Sequence, residues 1–127
     1  MLDYTYYNPS DESRSCVVRT MTKLTGKQYD TVKQELLRQA ADCGCETYND
    51  QTVFEAYLRR YGFTPCEIGE NTKVSGLNLN SGSYCVYTTN RSGFYQLLPV
   101  IDGVIYDRRN DSAELYVIAV YHCDAAE

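Results

Sequence analysis

Apolar residues at helical spacing mark three segments in the first half of the chain. The first segment has an apolar stripe at i, i+4 and i+7, formed by Val17, Met21 and Leu24. Gly26 follows this stripe and tolerates the left-handed conformation in which many helices end. Ser13 or Ser15 can cap the start of the same helix, because serine side chains accept hydrogen bonds from unpaired backbone N–H groups.

Two further segments show the same periodicity. A second helix is predicted over about residues 29–41, where apolar residues recur at i, i+3, i+7, i+8 and i+11. A third helix is predicted to be capped by Asn49 or Asp50, to carry an apolar stripe as far as Tyr61, and to stop at Gly62.

From residue 83 onward, short runs rich in β-branched and aromatic residues replace the helical pattern and predict strands. The predicted strands are residues 83–89, 94–101, 104–108 and 115–121. Asp102-Gly103 is a two-residue hairpin sequence, and Pro99 favours an edge position or a bulge for its strand. The polar segment before the first of these strands, residues 69–82, is predicted to be a loop.

Helices followed by strands predict an α+β fold, in which the helices pack on a mostly antiparallel sheet. A chain of 127 residues is large enough for one core, so residues 1–127 are interpreted as a single domain. The helical part is expected at about 13–62 and the β-sheet part at about 83–123.

Composition narrows the function classes. No apolar run approaches the roughly 20 residues of a membrane helix, and the first residues lack the pattern of a signal peptide, so a cytoplasmic protein with no membrane partner is expected. The net charge of −5 argues against direct binding to nucleic acid. Thirteen tyrosines beside three phenylalanines and no tryptophan would suit an exposed protein-binding or ligand-binding surface.

The even number of cysteines does not by itself indicate disulfides, because free thiols are the default in a reducing compartment. The cysteines are Cys16, Cys43, Cys45, Cys66, Cys85 and Cys123. A zinc site from Cys43, Cys45, His122 and Cys123 is disfavoured, since one residue between the first two cysteines is fewer than zinc sites prefer. No metal and no cofactor are expected, while a disulfide or metal at Cys43 and Cys45 stays open.

Cys16 is the main candidate for chemistry. It falls in the first turn of the first predicted helix, where the positive end of the backbone dipoles favours a thiolate. The alternative is a small apolar residue that fills the space between helix and sheet.

Several blocks of the sequence, in this order and spacing, resemble a group of small phage and prophage proteins with a papain-like cysteine peptidase fold. The blocks are Asn8-Pro9-Ser10, Ser15-Cys16-Val17-Val18-Arg19-Thr20, Leu24-Thr25-Gly26-Lys27, Tyr29-Asp30-Thr31-Val32, residues 53–63, Gly82-Ser83-Tyr84 and residues 100–107. The resemblance implies a helix that carries the nucleophile and a sheet that carries the base and its orienting acid.

Carried over by position, Cys16 falls at the nucleophile and Asp107 at the orienting acid. The base position, a histidine in the family, is occupied by Gln96, and a glutamine amide cannot take a proton from a thiol at neutral pH. His122 is an alternative base only if the end of the last strand lies over the start of the Cys16 helix. We favour the interpretation of His122 as a solvated residue at a strand end.

These features lead to the hypothesis of a catalytically degenerate papain-like protein that binds or inhibits a protein of the bacterial host. Counter-defence inhibitors such as anti-CRISPR proteins fall in this class, and the acidic chain would suit a partner with a basic surface. It would act in the cytoplasm of an infected or lysogenic bacterium. The alternatives are an active cysteine peptidase or amide hydrolase with Cys16 as nucleophile, and a sink for a small ligand.

Overall fold

A computed structural model of the chain describes residues 2–10, 12 and 15–123. Its helices are α1 (Cys16–Thr25), α2 (Tyr29–Cys43) and α3 (Gln51–Arg60), with short 3-10 helices at Val74–Gly76 and Ser112–Glu114. Its strands are β1 (Asp3–Tyr6), β2 (Phe63–Cys66), β3 (Ser83–Thr89), β4 (Tyr95–Ile101), β5 (Val104–Asp107) and β6 (Tyr116–Cys123). None of the helices in these residues is long and apolar enough to cross a membrane.

The six strands form one sheet in the order β1-β5-β4-β3-β6-β2, and three helices precede most of it in the chain, so the predicted α+β class is confirmed. All neighbouring strands are antiparallel except β1 and β5, which are parallel. The predicted limits of the sheet, about 83–123, were too narrow, because β1 and β2 belong to it. All four residues of β1 are exposed, so this strand has no alternation of apolar and polar positions to reveal it.

The helix ends agree with the predictions in most places. Gly26 adopts a left-handed φ of 73° after α1, and the Asp50 side chain caps α3 by accepting a 2.9 Å hydrogen bond from the Thr52 N–H. Ser15 occupies the cap position of α1, but its side chain makes no capping hydrogen bond. Instead, its hydroxyl oxygen accepts a 3.2 Å hydrogen bond from Arg19. Ser13 lies outside the described residues.

The edge position predicted from Pro99 is found only locally: β4 as a whole lies between β3 and β5, but Pro99 itself pairs only with Cys85 of β3. The β4–β5 ladder contains only the pairs Val100–Ile105 and Ile101–Val104, and it stops next to the proline, which has no N–H to donate. The proline is thus accommodated by a short ladder. The hairpin between these strands is confirmed, with φ of 49° at Asp102 and 81° at Gly103.

Alternate residues of the central strands contribute to two apolar clusters, one on each face of the sheet. Cys85, Leu97 and Tyr121 pack with the three helices, whereas their neighbours Val86, Leu98 and Val120 belong to the second cluster. Val74 and Leu79, from the segment predicted to be a loop, cover that second face. Backbone hydrogen bonds from Val74 to Leu115 and from Val117 to Thr72 add to this packing, so the segment is attached to the sheet more firmly than its polar composition indicates.

Glu35 of α2 joins three parts of the helical layer. Its Oε1 accepts hydrogen bonds from the hydroxyls of Tyr57 (2.6 Å) and Tyr61 (2.8 Å), and its Oε2 accepts one from Lys27 Nζ (2.8 Å). The hydrogen bonds from Lys27 and Tyr57 lower the pKa of Glu35 from 4.5 to about 2.

We expect Glu35→Gln to lower the free energy of unfolding by about 1–2 kcal/mol at neutral pH, because the amide loses the charged hydrogen bond from Lys27. Since the folded-state pKa lies below the unfolded value, the stabilisation is complete above about pH 5 and is lost as the pH falls towards 2. Urea unfolding measures the free energy of unfolding of both proteins, and the difference between wild type and variant should become smaller as the pH is lowered from 7 to 2.5. Exposed Glu70→Gln is the control, and a pH-independent difference for Glu35→Gln would contradict the assignment.

Candidate functional site

A cavity of about 680 Å³ opens where the start of α1 meets the start of β4 and the end of β5. Its lining includes Cys16, Gln96 and Asp107, the three positions to which the resemblance assigns nucleophile, base and orienting acid. The structure thus brings these three sequence-predicted residues to one cavity. The other lining residues are Ser15, Val17, Arg19, Asn49, Phe54, Tyr87, Gly93, Phe94, Tyr95, Leu97, Arg108 and Arg109.

The short β4–β5 ladder creates the place for this cavity. Only the last two residues of β4 pair with β5, so the first half of β4 has no β5 neighbour. Helix α1 packs there instead, and the Thr20 hydroxyl donates a 2.8 Å hydrogen bond to the Leu97 carbonyl. This contact sets the start of α1, with Cys16, beside the start of β4 and the end of β5.

The Asp107 carboxylate is the most highly connected group of the site and is fully buried. Its Oδ1 accepts hydrogen bonds from Arg19 Nη2 (3.1 Å) and from the backbone N–H of Arg108 (2.8 Å). Its Oδ2 accepts one from Gln96 Nε2 (2.6 Å) and one from the Ser112 hydroxyl. Four donors use the acceptor capacity of the carboxylate, and the Arg19 guanidinium compensates its charge.

Gln96 contributes only one of its two polar ends to this network. The carboxylate accepts hydrogen bonds, so the amide nitrogen must face Asp107 and the amide oxygen must point elsewhere. The side chain is only 3% exposed, and its Oε1 has no hydrogen-bond partner among the described residues. Gln96 therefore places a donor on the acid and leaves a buried amide oxygen without a hydrogen-bond partner among the described residues.

Cys16 is half-buried at the first position of α1 and packs against the helix-side cluster. No hydrogen bond to its thiol is formed within the described part of the chain. The Cys85 thiol is fully buried, and its pKa is raised well above the ordinary value by burial and, secondarily, by Cys16. Both roles proposed for Cys16, packing and a functional thiol, agree with this position.

His122 is not brought to Cys16. It follows Tyr121, which packs on the helix side, and alternation puts the histidine side chain on the opposite face of the sheet. There its ring stacks on Tyr84 with centroids 4.4 Å apart and an interplanar angle of 13°. The predicted position at a strand end is correct, because β6 ends at Cys123, but the residue is half-buried in this stack and not fully solvated.

Sequence reasoning missed the roles of Arg19 and Ser112. Arg19 is 4% exposed and supplies the positive charge beside Asp107, and Ser112 is 1% exposed and supplies a donor. The signal for Arg19 was a charged residue between Val18 and Met21, within an apolar stripe. Ser112 carried no signal, because a serine in a polar turn is ordinary.

The described residues contain no group of three or more histidine, cysteine, aspartate or glutamate side chains placed to hold a metal ion. Cys43 ends α2 and Cys45 follows it, while His122 and Cys123 end β6.

No family model, curated protein or solved structure matches this chain. The site is therefore interpreted from its own geometry.

We expect Asp107→Asn to lower the free energy of unfolding by about 3 kcal/mol, because the substitution leaves the buried Arg19 guanidinium without a counter-charge. The matched control is Asp111→Asn, which breaks an exposed ion pair with Arg109 and should cost less than about 1 kcal/mol. Chemical denaturation measures both variants. Adding Arg19→Met to Asp107→Asn should recover part of the loss, and similar effects of the two single asparagine variants would contradict this role of Asp107.

Proposed function

We propose that this protein is a catalytically inactive member of the papain-like group that works by binding another molecule at the Cys16 cavity. The observation that carries this proposal is the position of Gln96. Its amide donates to Asp107 as the ring of a catalytic histidine would donate to its orienting acid, but it offers no basic atom towards the thiol.

A cysteine hydrolase requires a group that removes the thiol proton or stabilises the thiolate. The amide oxygen of Gln96 accepts hydrogen bonds but does not take up a proton near neutral pH. The single histidine of the chain, His122, lies on the other face of the sheet. Asp107 is the only carboxylate among the described lining residues, and a neighbouring negative charge would disfavour the thiolate.

The surroundings of the cavity support a binding role. A second cavity of about 500 Å³ shares Arg108 and Arg109 with the first. Among the described residues, five large apolar side chains are exposed, and three of them, Tyr4, Tyr6 and Tyr95, line these two cavities. Tyrosine contributes large contact area and a polar hydroxyl, which is typical of protein-binding surfaces.

We further propose that the bound molecule is a protein of a bacterial host and that the chain has a phage origin, as the sequence resemblance implies. Occupying a functional surface of the host protein would inhibit it, and an anti-CRISPR role is one form of this activity. The exposed tyrosines at the two cavities would anchor the complex.

Restoring the base tests the loss of catalysis. Cys16 of the wild type should react with iodoacetamide at pH 6 no faster than exposed Cys66, whereas Gln96→His should accelerate Cys16 alkylation by about tenfold or more, because an imidazole held by Asp107 can stabilise the thiolate. Peptide mass spectrometry resolves the individual cysteines.

Tyr95→His is the matched control, since it places an imidazole on the next residue of β4, at an exposed position. Fast alkylation of Cys16 in the wild type would instead support the alternative of an active cysteine hydrolase. No acceleration in Gln96→His would show that Gln96 does not stand at the position of a base.

The binding surface is tested by the double variant Tyr6→Ser/Tyr95→Ser. We expect the wild-type protein to retain a stoichiometric partner from bacterial lysate. The double variant should retain at least about tenfold less of this partner, because anchoring aromatic side chains contribute much of the binding free energy of an interface. Leu37→Ser, which alters an exposed residue of α2, should retain the partner. Absence of any stoichiometric partner of the wild type would contradict the proposed role.

A further inference from the structure

The two edge strands of the sheet differ in how well they are protected against pairing with another strand. The β2 edge contains Pro65, which has no N–H to donate. The β1 edge contains no proline, no lysine and no bulge, and all four of its residues are exposed. Among the described residues no further strand lies beyond β1, so its outer side presents unpaired backbone groups.

The parallel ladder between β1 and β5 determines which residues carry these unpaired groups. The N–H groups of Asp3 and Tyr7 donate hydrogen bonds of 2.8 and 2.9 Å to carbonyls on the β5 side. Odd residues therefore face β5, and the alternation of a strand turns the N–H and C=O of Tyr4 and Tyr6 outward. The free edge thus offers a donor and an acceptor on each of two residues that are spaced two apart.

This arrangement of donors and acceptors is complementary to itself. The β1 strands of two copies can run antiparallel, with Tyr4 of each copy opposite Tyr6 of the other. Each of these residue pairs then exchanges N–H···O=C hydrogen bonds in both directions, and the two-fold axis passes between the Thr5 residues. The exposed rings of Tyr4 and Tyr6 share one face of the strand, so the pairing also brings aromatic side chains within reach of each other.

The charges near β1 select this register. The Lys23 Nζ of α1 lies 5.3 Å from the centre of the Tyr7 ring and 4.1 Å from that of Tyr106, and Lys23 forms no ion pair within the described part of the chain. In this register, the residue opposite Tyr7 is Asp3 of the second copy, an exposed acid on the face that Lys23 covers. A register shift of two residues, the smallest that keeps the faces, would separate Asp3 from Lys23.

We propose that two copies of this chain form a symmetric dimer by antiparallel pairing of their β1 strands, with Asp3 of each copy beside Lys23 of the other. The pairing joins the two sheets into one. The interface of a four-residue edge is small and each copy carries a net charge of −5, so the dimer is weak, with a Kd on the order of 100 µM.

Exchanging charges between the copies tests this pairing. Asp3→Lys should weaken self-association by at least about fivefold, because it opposes like charges at position 23, and Lys23→Glu should do the same at position 3. An equimolar mixture of the two variants should recover the wild-type affinity to within about twofold, since both contacts of the mixed dimer then join opposite charges. Sedimentation equilibrium from about 10 µM to 1 mM measures the Kd.

The control for net charge is Glu70→Lys. It changes the net charge of the chain as much as Asp3→Lys does, at an exposed position outside β1. This variant should leave the Kd of the dimer unchanged within about twofold.

The backbone hydrogen bonds are tested at Tyr6. Tyr6→Ala and Tyr6→Pro both remove the ring, but only proline also removes the outward N–H, and the bonds to β5 do not involve this residue. Tyr6→Pro should therefore weaken the dimer by at least about fivefold more than Tyr6→Ala. In the wild type, amide exchange at Tyr4 and Tyr6 should slow by about twofold between about 0.1 and 1 mM protein, whereas that at Thr5, which faces β5, should change little.

A wild-type chain that stays monomeric up to about 1 mM would overturn the inference and leave the β1 edge to an extended segment of a different protein. Self-association that neither charge variant weakens, or that their mixture does not recover, would place the interface elsewhere and overturn it as well. Asp3 and Lys23 line neither cavity, so these results are independent of the thiol and lysate tests of the proposed function.

Discussion

The buried charge of Asp107 constrains both the fold and the site. Removing a carboxylate from water is costly unless a counter-charge and hydrogen bonds replace the water. Here the replacements come from α1 through Arg19, from β4 through Gln96 and from the second 3-10 helix through Ser112. Helix α1, strand β4 and the second 3-10 helix, which are far apart in the chain, must therefore all contact the Asp107 side chain for it to stay buried.

The backbone of Asp107 extends this constraint to the first strand. Its carbonyl oxygen accepts hydrogen bonds from the Tyr4 hydroxyl (2.8 Å) and from the Tyr7 N–H (2.9 Å), which hold β1 on the edge of the sheet. Cys16, one turn before Arg19 on the same helix, is positioned as a consequence. A site of this kind can lose its chemistry and keep its geometry, because the geometry also holds the fold together. Under the proposed function, glutamine at position 96 would be such a case, because it donates to Asp107 but offers no base.

The parts of the structure that depend on local sequence could be predicted. The apolar stripe and Gly26 defined α1, and Asp102-Gly103 defined the hairpin, because spacing and backbone preference act over a few residues. What could not be predicted depends on contacts distant in sequence. The partner of Arg19 lies 88 residues away, and β1 is held by its neighbour strand rather than by an apolar face of its own.

The net charge of the chain and the local charge at the cavity have different effects on a binding partner. The net charge of −5 acts on approach, over distances on the order of the Debye length of about 8 Å, and favours a basic partner. The local charge at the cavity is positive instead, because Asp107, the one carboxylate in its described lining, is paired with Arg19, while the Arg108 side chain is exposed. Under the proposed binding role, a partner that is basic overall and presents an acidic group at the cavity would satisfy both. Long-range attraction would therefore depend on the overall charge of a binding partner, whereas short-range contact would depend on the charge of the group that reaches the cavity.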